Sequence, residues 1–232
     1  LAALGIDEVE VYRKPRVAII STGREIVEIG SEIGRGKVYD CNSHTIAAVV
    51  RENGGDPCIL GIFEDTLEGN KDALRKALEH DLIVFSGGSS VGERDLLPAI
   101  IESNGELVFH GVRSKPAKPV LFGVVGGKPV LGLPGYPASC MIACYVYLRP
   151  VVRRMANLPE FGGRLKAKMG HSLSLAVGNT HFIPVKIVGG KVYSVFKESG
   201  AITSISEAQG ILEVSESVSM LDEGEDVEVM LI

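Results

Sequence analysis

The run Gly87-Gly88-Ser89-Ser90-Val91-Gly92-Glu93-Arg94-Asp95 follows directly on the apolar stretch Leu82-Ile83-Val84-Phe85. Glycines let the backbone turn sharply and aim several N–H groups at one point, and such a nest at a helix start attracts phosphate or another oxyanion. A carboxylate such as Asp95 tolerates phosphate beside it when a cation lies between them, and magnesium is the cation of choice. Three further acids fall just past apolar runs or at a helix start: Glu25 in Ser21-Thr22-Gly23-Arg24-Glu25, Asp65 in Glu64-Asp65-Thr66, and Asp40 in Tyr39-Asp40-Cys41-Asn42. Gathered around one cavity, Glu25, Asp40, Asp65 and Asp95 repel unless protonated, spread apart or bridged by a cation, and an all-oxygen set favours magnesium over zinc. Each acid alone has a plainer account: Asp40 and Asp95 as helix caps, Asp65 as a charge near a helix N-terminus, Glu25 as a solvated loop residue. Their joint position at strand ends is what turns the set into a candidate site.

The opposite charge comes from Arg113-Ser114-Lys115-Pro116-Ala117-Lys118-Pro119, where two prolines stiffen a loop carrying three cations. Such a loop is either an anion contact or a solvated edge, and an anionic ligand decides between them. Gly132-Leu133-Pro134-Gly135-Tyr136-Pro137-Ala138-Ser139 runs through a rigid turn into a helix whose free N–H groups can hold a second anion. The five histidines, His44, His80, His110, His171 and His181, form no ligand spacing and no nucleophile signature, and none is assigned a catalytic role. Cys140 and Cys144 lie one helical turn apart and read as small apolar residues on a buried face.

The elements that must carry these residues alternate. Arg16 to Ser21, Cys58 to Phe63 and Leu82 to Phe85 read as parallel strands, with helices capped by Asn42, from Leu67 to His80, and from Leu96 to Ser103 capped by Asp95. Glu106 to Phe109, Val120 to Val125 and Lys128 to Leu131 follow as strands, the last two joined by a Gly126-Gly127 hairpin, before a long helix from Ala138 to Met155. The pattern predicts an α/β fold: a mostly parallel sheet with helices on both faces and an antiparallel edge hairpin. In such a sheet, ligands gather beyond the carboxyl ends of the strands. After Leu158-Pro159 the texture changes to short strands at Phe182 to Val188, Val192 to Val195, Ile211 to Val214 and Val227 to Leu231, which suggests a small all-β barrel or sandwich. The expected domains are residues 1–157 and 158–232. Leu1 to Ile6 reads as the end of a helix running into a turn, so the sequence is taken as the C-terminal part of a longer protein.

At 232 residues with a net charge of −5, the chain has no apolar run long enough for a bilayer span, and nothing in its first residues resembles a secretory signal. Its four cysteines lack zinc-site spacing and suit a reducing cytoplasm. No lysine or arginine follows Lys197, whereas nine acids do, so the C-terminal face is an unsuitable partner for nucleic acid.

Five motifs in this order resemble the molybdopterin molybdenumtransferase family, related to the C-terminal part of gephyrin: Ser-Thr-Gly-x-Glu at 21–25, Tyr-Asp-x-Asn at 39–42, Gly-Gly-x-Ser-x-Gly-x-x-Asp at 87–95, Lys-Pro-x-Lys-Pro at 115–119 and Gly-Leu-Pro-Gly-x-Pro-x-Ser at 132–139. Lys197-Glu198-Ser199-Gly200 to Ser204 is the best of the weaker motifs in the second domain. The resemblance implies magnesium-dependent insertion of molybdate into adenylylated molybdopterin with release of AMP. It implies catalytic roles for Glu25, Asp65, Asp95, Lys115 and Lys118, with Glu25, Asp65 and Asp95 at the metal. Contacts to the pterin nucleotide fall to Thr22, Gly23, Asp40, Asn42, Gly87, Gly88, Ser89, Ser90, Gly92, Pro134, Gly135 and Ser139. Tyr136 stands where the family often has Asn, and Ala117 where Gly is usual. Family members are homodimers in which an N-terminal elongated region of the partner completes the cleft. The present sequence does not include that region, so weak activity is expected of this chain alone. The adenylyltransferase of the same pathway and a gephyrin-like scaffold are the alternatives; Ser89-Ser90 and the β-domain speak against the first, the crowded rim acids against the second.

Overall fold

A computed structural model describes residues 1–88, 96–196 and 202–232. After a 3-10 turn at Ala2–Leu4 come β1 (Arg16–Thr22), β2 (Ile26–Val27), β3 (Val38–Tyr39), α1 (Asn42–Glu52), β4 (Asp56–Phe63), α2 (Leu67–Ala77) and β5 (Leu82–Ser86). Then follow α3 (Leu96–Asn104), β6 (Gly105–His110), β7 (Ser114–Lys115), β8 (Leu121–Val125), β9 (Lys128–Leu133), α4 (Pro137–Ala143), a π-helical turn (Cys144–Leu148) and α5 (Arg149–Met155). The remainder holds β10 (Arg164–Met169), β11 (Leu173–Ser174), β12 (Thr180–Val188), β13 (Lys191–Ser194), α6 (Thr203–Ser206), β14 (Gly210–Val214), β15 (Met220–Leu221) and β16 (Asp226–Leu231).

The first sheet has the order β4-β1-β5-β9-β8-β6. β4, β1, β5 and β9 are parallel, and β8 and β6 supply the antiparallel edge. Alternation along the strands decides which helices cover which face. Val17, Ile19, Leu82 and Val84 pack with Ile46, Val49 and Val50 of α1, Leu148 of the π turn and Val152 of α5. Ala18, Ile20, Ile83 and Phe85 pack against Ala73, Leu74 and Ala77 of α2 and Leu97, Ile100 and Ile101 of α3. Each buried branched side chain contributes about 1.5–3 kcal/mol. The β8–β9 turn has Gly126 and Gly127 at φ 56 and 73, the doubly left-handed hairpin expected of that pair.

The second sheet runs β13-β10-β16-β14-β12-β7 and is joined by its own apolar cluster, including Val185, Val192, Leu212 and Val229. Its last strand comes from the first half of the chain. Ser114 and Lys115 pair in parallel with Thr180 and His181, and the Thr180 N–H donates to the Arg113 carbonyl at 2.9 Å. The start of the cationic loop is therefore the edge strand of the second sheet, and Arg113, Lys115 and Lys118 remain exposed on it.

Two local expectations are corrected. The helix over 138–155 is continuous in course but passes through the π turn, where the Arg149 N–H reaches back to the Cys144 carbonyl. Pro150 cannot donate to Val146, and its ring crowds that carbonyl, so a widened turn relieves the conflict. Asn42 does not cap α1: Cys41 occupies the cap position without a side-chain bond to the helix N–H groups, and Asp40 Oδ1 accepts from the Ser43 N–H at 3.1 Å instead.

Candidate functional site at the strand-end rim

Four parallel strands finish side by side. Ser21 of β1 pairs with Ser86 of β5, Ser86 pairs with Leu133 of β9, and Thr22 pairs with Phe63 of β4. The segments just beyond, Gly23 to Glu25, Glu64-Asp65, Gly87-Gly88 and Pro134-Gly135, consequently share one rim. Because β8 is antiparallel to β9, its first residue Leu121, opposite Gly132, starts at the same end, and the loop holding Lys115 and Lys118 emerges there too.

The glycine pair makes the rim concave. Gly87 and Gly88 sit at φ 89 and 62, left-handed values that suit glycine. A Cβ on Gly87 would stand 2.3 Å from the Thr22 carbonyl oxygen, which excludes a side chain there. One on Gly88 would meet Thr22 Oγ1 at 3.1 Å and Asp65 Oδ1 at 3.7 Å. The missing side chain thus leaves a slot flanked by a hydroxyl and a carboxylate. Thr22 is 3% exposed, and its hydroxyl has no hydrogen-bond partner among the described residues; neither has that of the fully buried Ser21. A stranded buried hydroxyl costs about 1–3 kcal/mol, so the Thr22 hydroxyl is a donor available to a ligand oxygen.

Glu25 is exposed, and both its carboxylate oxygens lie 3.0 Å from the point a Gly23 Cβ would occupy. Asp65 is half-buried and accepts from Asn70 Nδ2 at 3.2 Å. Carboxylate and hydroxyl oxygens are the donors a hard cation takes, so Thr22, Glu25 and Asp65 fit magnesium by type. Among the described residues no three acidic, histidine or cysteine side chains converge on a metal by themselves. A cation at this rim would complete its shell with ligand phosphate oxygens and water. Asp95, Ser89, Ser90 and Gly92 lie outside the described residues, as does the motif from Lys197 to Gly200.

Asn42 is the link between the two turns. Its Nδ2 donates to Ser86 Oγ at 2.9 Å and to the Gly135 carbonyl at 2.8 Å, which uses both amide hydrogens. Gly135 comes so close that a Cβ there would be 3.6 Å from Gly87 Cα. Asn42 thus acts through the backbone it holds, and Asp40, turned onto Ser43, serves the start of α1. Pro134 is buried, Gly135 exposed, and Ser139 lies buried in the first turn of α4. Tyr136, at the cap of that helix, is 69% exposed. Ala117, where the resemblance suggests glycine, holds φ 73, a left-handed conformation that a Cβ makes costly.

Lys115 and Lys118 are both exposed. Lys115 lines a cavity of about 230 Å³ with Ser174, His181 and Phe196 of the β-domain, so the second sheet determines where this cation stands. His181 is committed structurally, its Nε2 lying 2.8 Å from the Ala176 carbonyl. Close behind the rim, burial, with smaller contributions from Asp40 and Cys140, pushes the Cys41 thiol up. A hydrogen bond with Cys140, together with burial, raises Cys144 further. Both remain protonated thiols at neutral pH. Sequence reasoning missed Ser86 and Asn70; the one local signal was a hydroxyl closing an otherwise apolar strand.

Residues 18–154 match the family described as "Probable molybdopterin binding domain", and residues 166–232 match "MoeA C-terminal region (domain IV)". The chain is 29% identical to a molybdopterin molybdenumtransferase of Haemophilus influenzae, over 95% of this chain and 59% of the relative. It is 31% identical to one from Staphylococcus epidermidis, over 100% of this chain and 57% of the relative. A molybdopterin biosynthesis MoeA protein from Pyrococcus horikoshii superposes with a TM-score of 0.91 at 40% identity, covering 99% of this chain and 57% of that one. The chain therefore spans somewhat more than half the length of these relatives. No described helix is long and apolar enough to cross a membrane.

Proposed function

We propose that the rim of this chain, which belongs to the molybdopterin-binding domain family and carries a MoeA C-terminal region, takes adenylylated molybdopterin and molybdate, and serves insertion of the metal oxyanion into the dithiolene with release of AMP. The observation that carries this reading is the slot at Gly88, between Thr22 Oγ1 and Asp65 Oδ1. A side-chain-free turn beside an unpartnered buried hydroxyl receives a phosphate oxygen without displacing protein atoms.

In this reading the backbone at Gly87 and Gly88 and the Thr22 hydroxyl orient the adenylyl phosphate. Glu25, Asp65 and Asp95 would hold magnesium, which supplies charge neutralisation at the phosphoanhydride when bound. Lys115 and Lys118 attract the oxyanion, and their placement depends on the β7–β12 pairing. Pro134, Gly135 and Ser139 bound the second turn, which Asn42 keeps against Gly87. Catalysis is then positioning and electrostatics, with no covalent nucleophile required. A homodimer, with a further region contributed by the partner, belongs to the same proposal, so the 232-residue chain alone is expected to turn over slowly.

The test is incubation of the chain with adenylylated molybdopterin, molybdate and magnesium, following AMP release and formation of molybdenum cofactor. Molybdate-dependent AMP release supports the reading. Product formed from molybdopterin only when ATP is supplied identifies an adenylyltransferase instead, and silence in both assays together with no binding of the pterin nucleotide identifies a scaffold.

A further inference from the structure

We propose that Asn70 is a positioning residue that fixes the Asp65 carboxylate toward the Gly88 slot; the inference rests on the reading of Asp65 as a metal ligand and adds the group that orients it. Asn70 lies in the first turn of α2 and is fully buried. Its Nδ2 donates to Asp65 Oδ1 at 3.2 Å and to the Thr66 carbonyl at 3.0 Å. Both neighbours are acceptors, so the reversed amide orientation would set oxygen against oxygen and is excluded. The cost lies on the other side of the amide, where Oδ1 is buried without a partner among the described residues. A smaller apolar residue would avoid that cost and still fit a helix; retaining asparagine makes sense where its two donors have work to do.

The surrounding turn is held from three directions. The Thr66 N–H donates to the Glu64 carbonyl at 2.8 Å, and Thr66 Oγ1 accepts from the Gly69 N–H at 3.1 Å. A Cβ on Gly69 would lie 2.4 Å from the Glu64 carbonyl oxygen, so the helix start closes on the turn only because that position is bare. Backbone and cap thereby fix where Asp65 begins, and Asn70 fixes where its Oδ1 ends. That oxygen is the one found 3.7 Å from the Gly88 Cβ position. A preoriented carboxylate loses less rotamer freedom when a cation binds, which appears as metal affinity.

The experiment measures Mn2+ affinity of the chain in the presence of AMP, by the loss of the free-ion electron paramagnetic resonance signal, for the parent, Asp65→Ala, Asn70→Ala and the double variant. The expected result is a loss of at least tenfold for Asp65→Ala, about fivefold for Asn70→Ala, and no further loss in the double variant beyond Asp65→Ala. Thermal melts of the same proteins should show a smaller Asn70→Ala destabilisation in the Asp65→Ala background, because the Asn70–Asp65 hydrogen bond is already lost there. Should Asn70→Ala fail to fold, Asn70→Ser, which keeps one donor, carries the comparison. Parent-like affinity in the Asn70 variant, or losses that simply multiply in the double variant, overturns the proposal. Parent-like affinity of Asp65→Ala has a different signature: it removes the metal-ligand reading itself, and the role of Asn70 falls with it.

Discussion

Replacing Asn42 by alanine tests how the rim is assembled. The side chain is 7% exposed, and its amide bridges β5 to the turn after β9, spanning 44 and 93 residues of sequence. Loss of the bond to Ser86, itself 1% exposed, strands a buried hydroxyl at about 1–3 kcal/mol. Gly135 is exposed, so water replaces the donor to its carbonyl, and that loss is about 0.5–1.5 kcal/mol. Together the variant should be destabilised by about 1.5–4.5 kcal/mol, a fall in Tm of roughly 3–18 °C for a chain of this size. Released from Asn42, Gly135 also withdraws from Gly87, so affinity for AMP measured by titration calorimetry should fall about tenfold. Asn42→Asp sharpens the point: its carboxylate can accept from the Ser86 hydroxyl, reversing that bond, but presents an acceptor to the Gly135 carbonyl, and should lose affinity at least as far as alanine does. An Asn42→Ala protein that melts within about 1 °C of the parent and binds AMP equally well would refute the bridge.

The thiols should divide by burial. Cys41 and Cys58 are half-buried, whereas Cys140 and Cys144 are buried, with Cys144 raised by its partner and by desolvation. Iodoacetamide at pH 8 should label the first pair slowly and leave the second pair intact until denaturant is added, as read by intact mass. At Asp81, the side-chain hydrogen bond from Arg13, assisted by the Arg16 N–H, holds the carboxyl at about 2, below its ordinary 3.8. A depressed carboxylate stabilises the fold in full above its unfolded value, and the contribution is lost as pH falls through the folded one. The Tm difference between parent and Asp81→Asn should therefore be constant above pH 5 and shrink from about pH 4 to vanish near pH 2.

Much of the architecture was legible because it rests on local pattern. Val17 to Ile20 and Leu82 to Phe85 announce strands buried on both faces, and the residues following them mark the rim. The Gly126-Gly127 hairpin was readable for the same reason, since two left-handed positions in succession demand glycine. What escaped rests on contacts distant in sequence. Asn42 looked like a helix cap because its local setting suits one, and only the fold reveals that its amide is spent on Ser86 and Gly135. The pairing of Lys115 with His181 joins two segments whose separate patterns carry no trace of each other. Asn70 resembled any polar residue in an amphipathic helix until its burial and its bond to Asp65 were visible. The π turn at Cys144–Leu148 could have been read from Pro150, whose ring must disturb the carbonyl four residues earlier.

The central claim is that the side-chain-free slot between Thr22 and Asp65 receives the ligand, and Gly88→Ala addresses it most directly. The added methyl meets Thr22 Oγ1 at 3.1 Å without striking backbone, and its left-handed φ costs about 1–2 kcal/mol, so the protein should fold. Titration of the folded variant with adenylylated molybdopterin and magnesium should show affinity at least tenfold below that of the parent, with AMP release falling in step. A folded Gly88→Ala protein that binds and releases as the parent does would place the ligand elsewhere and contradict the account.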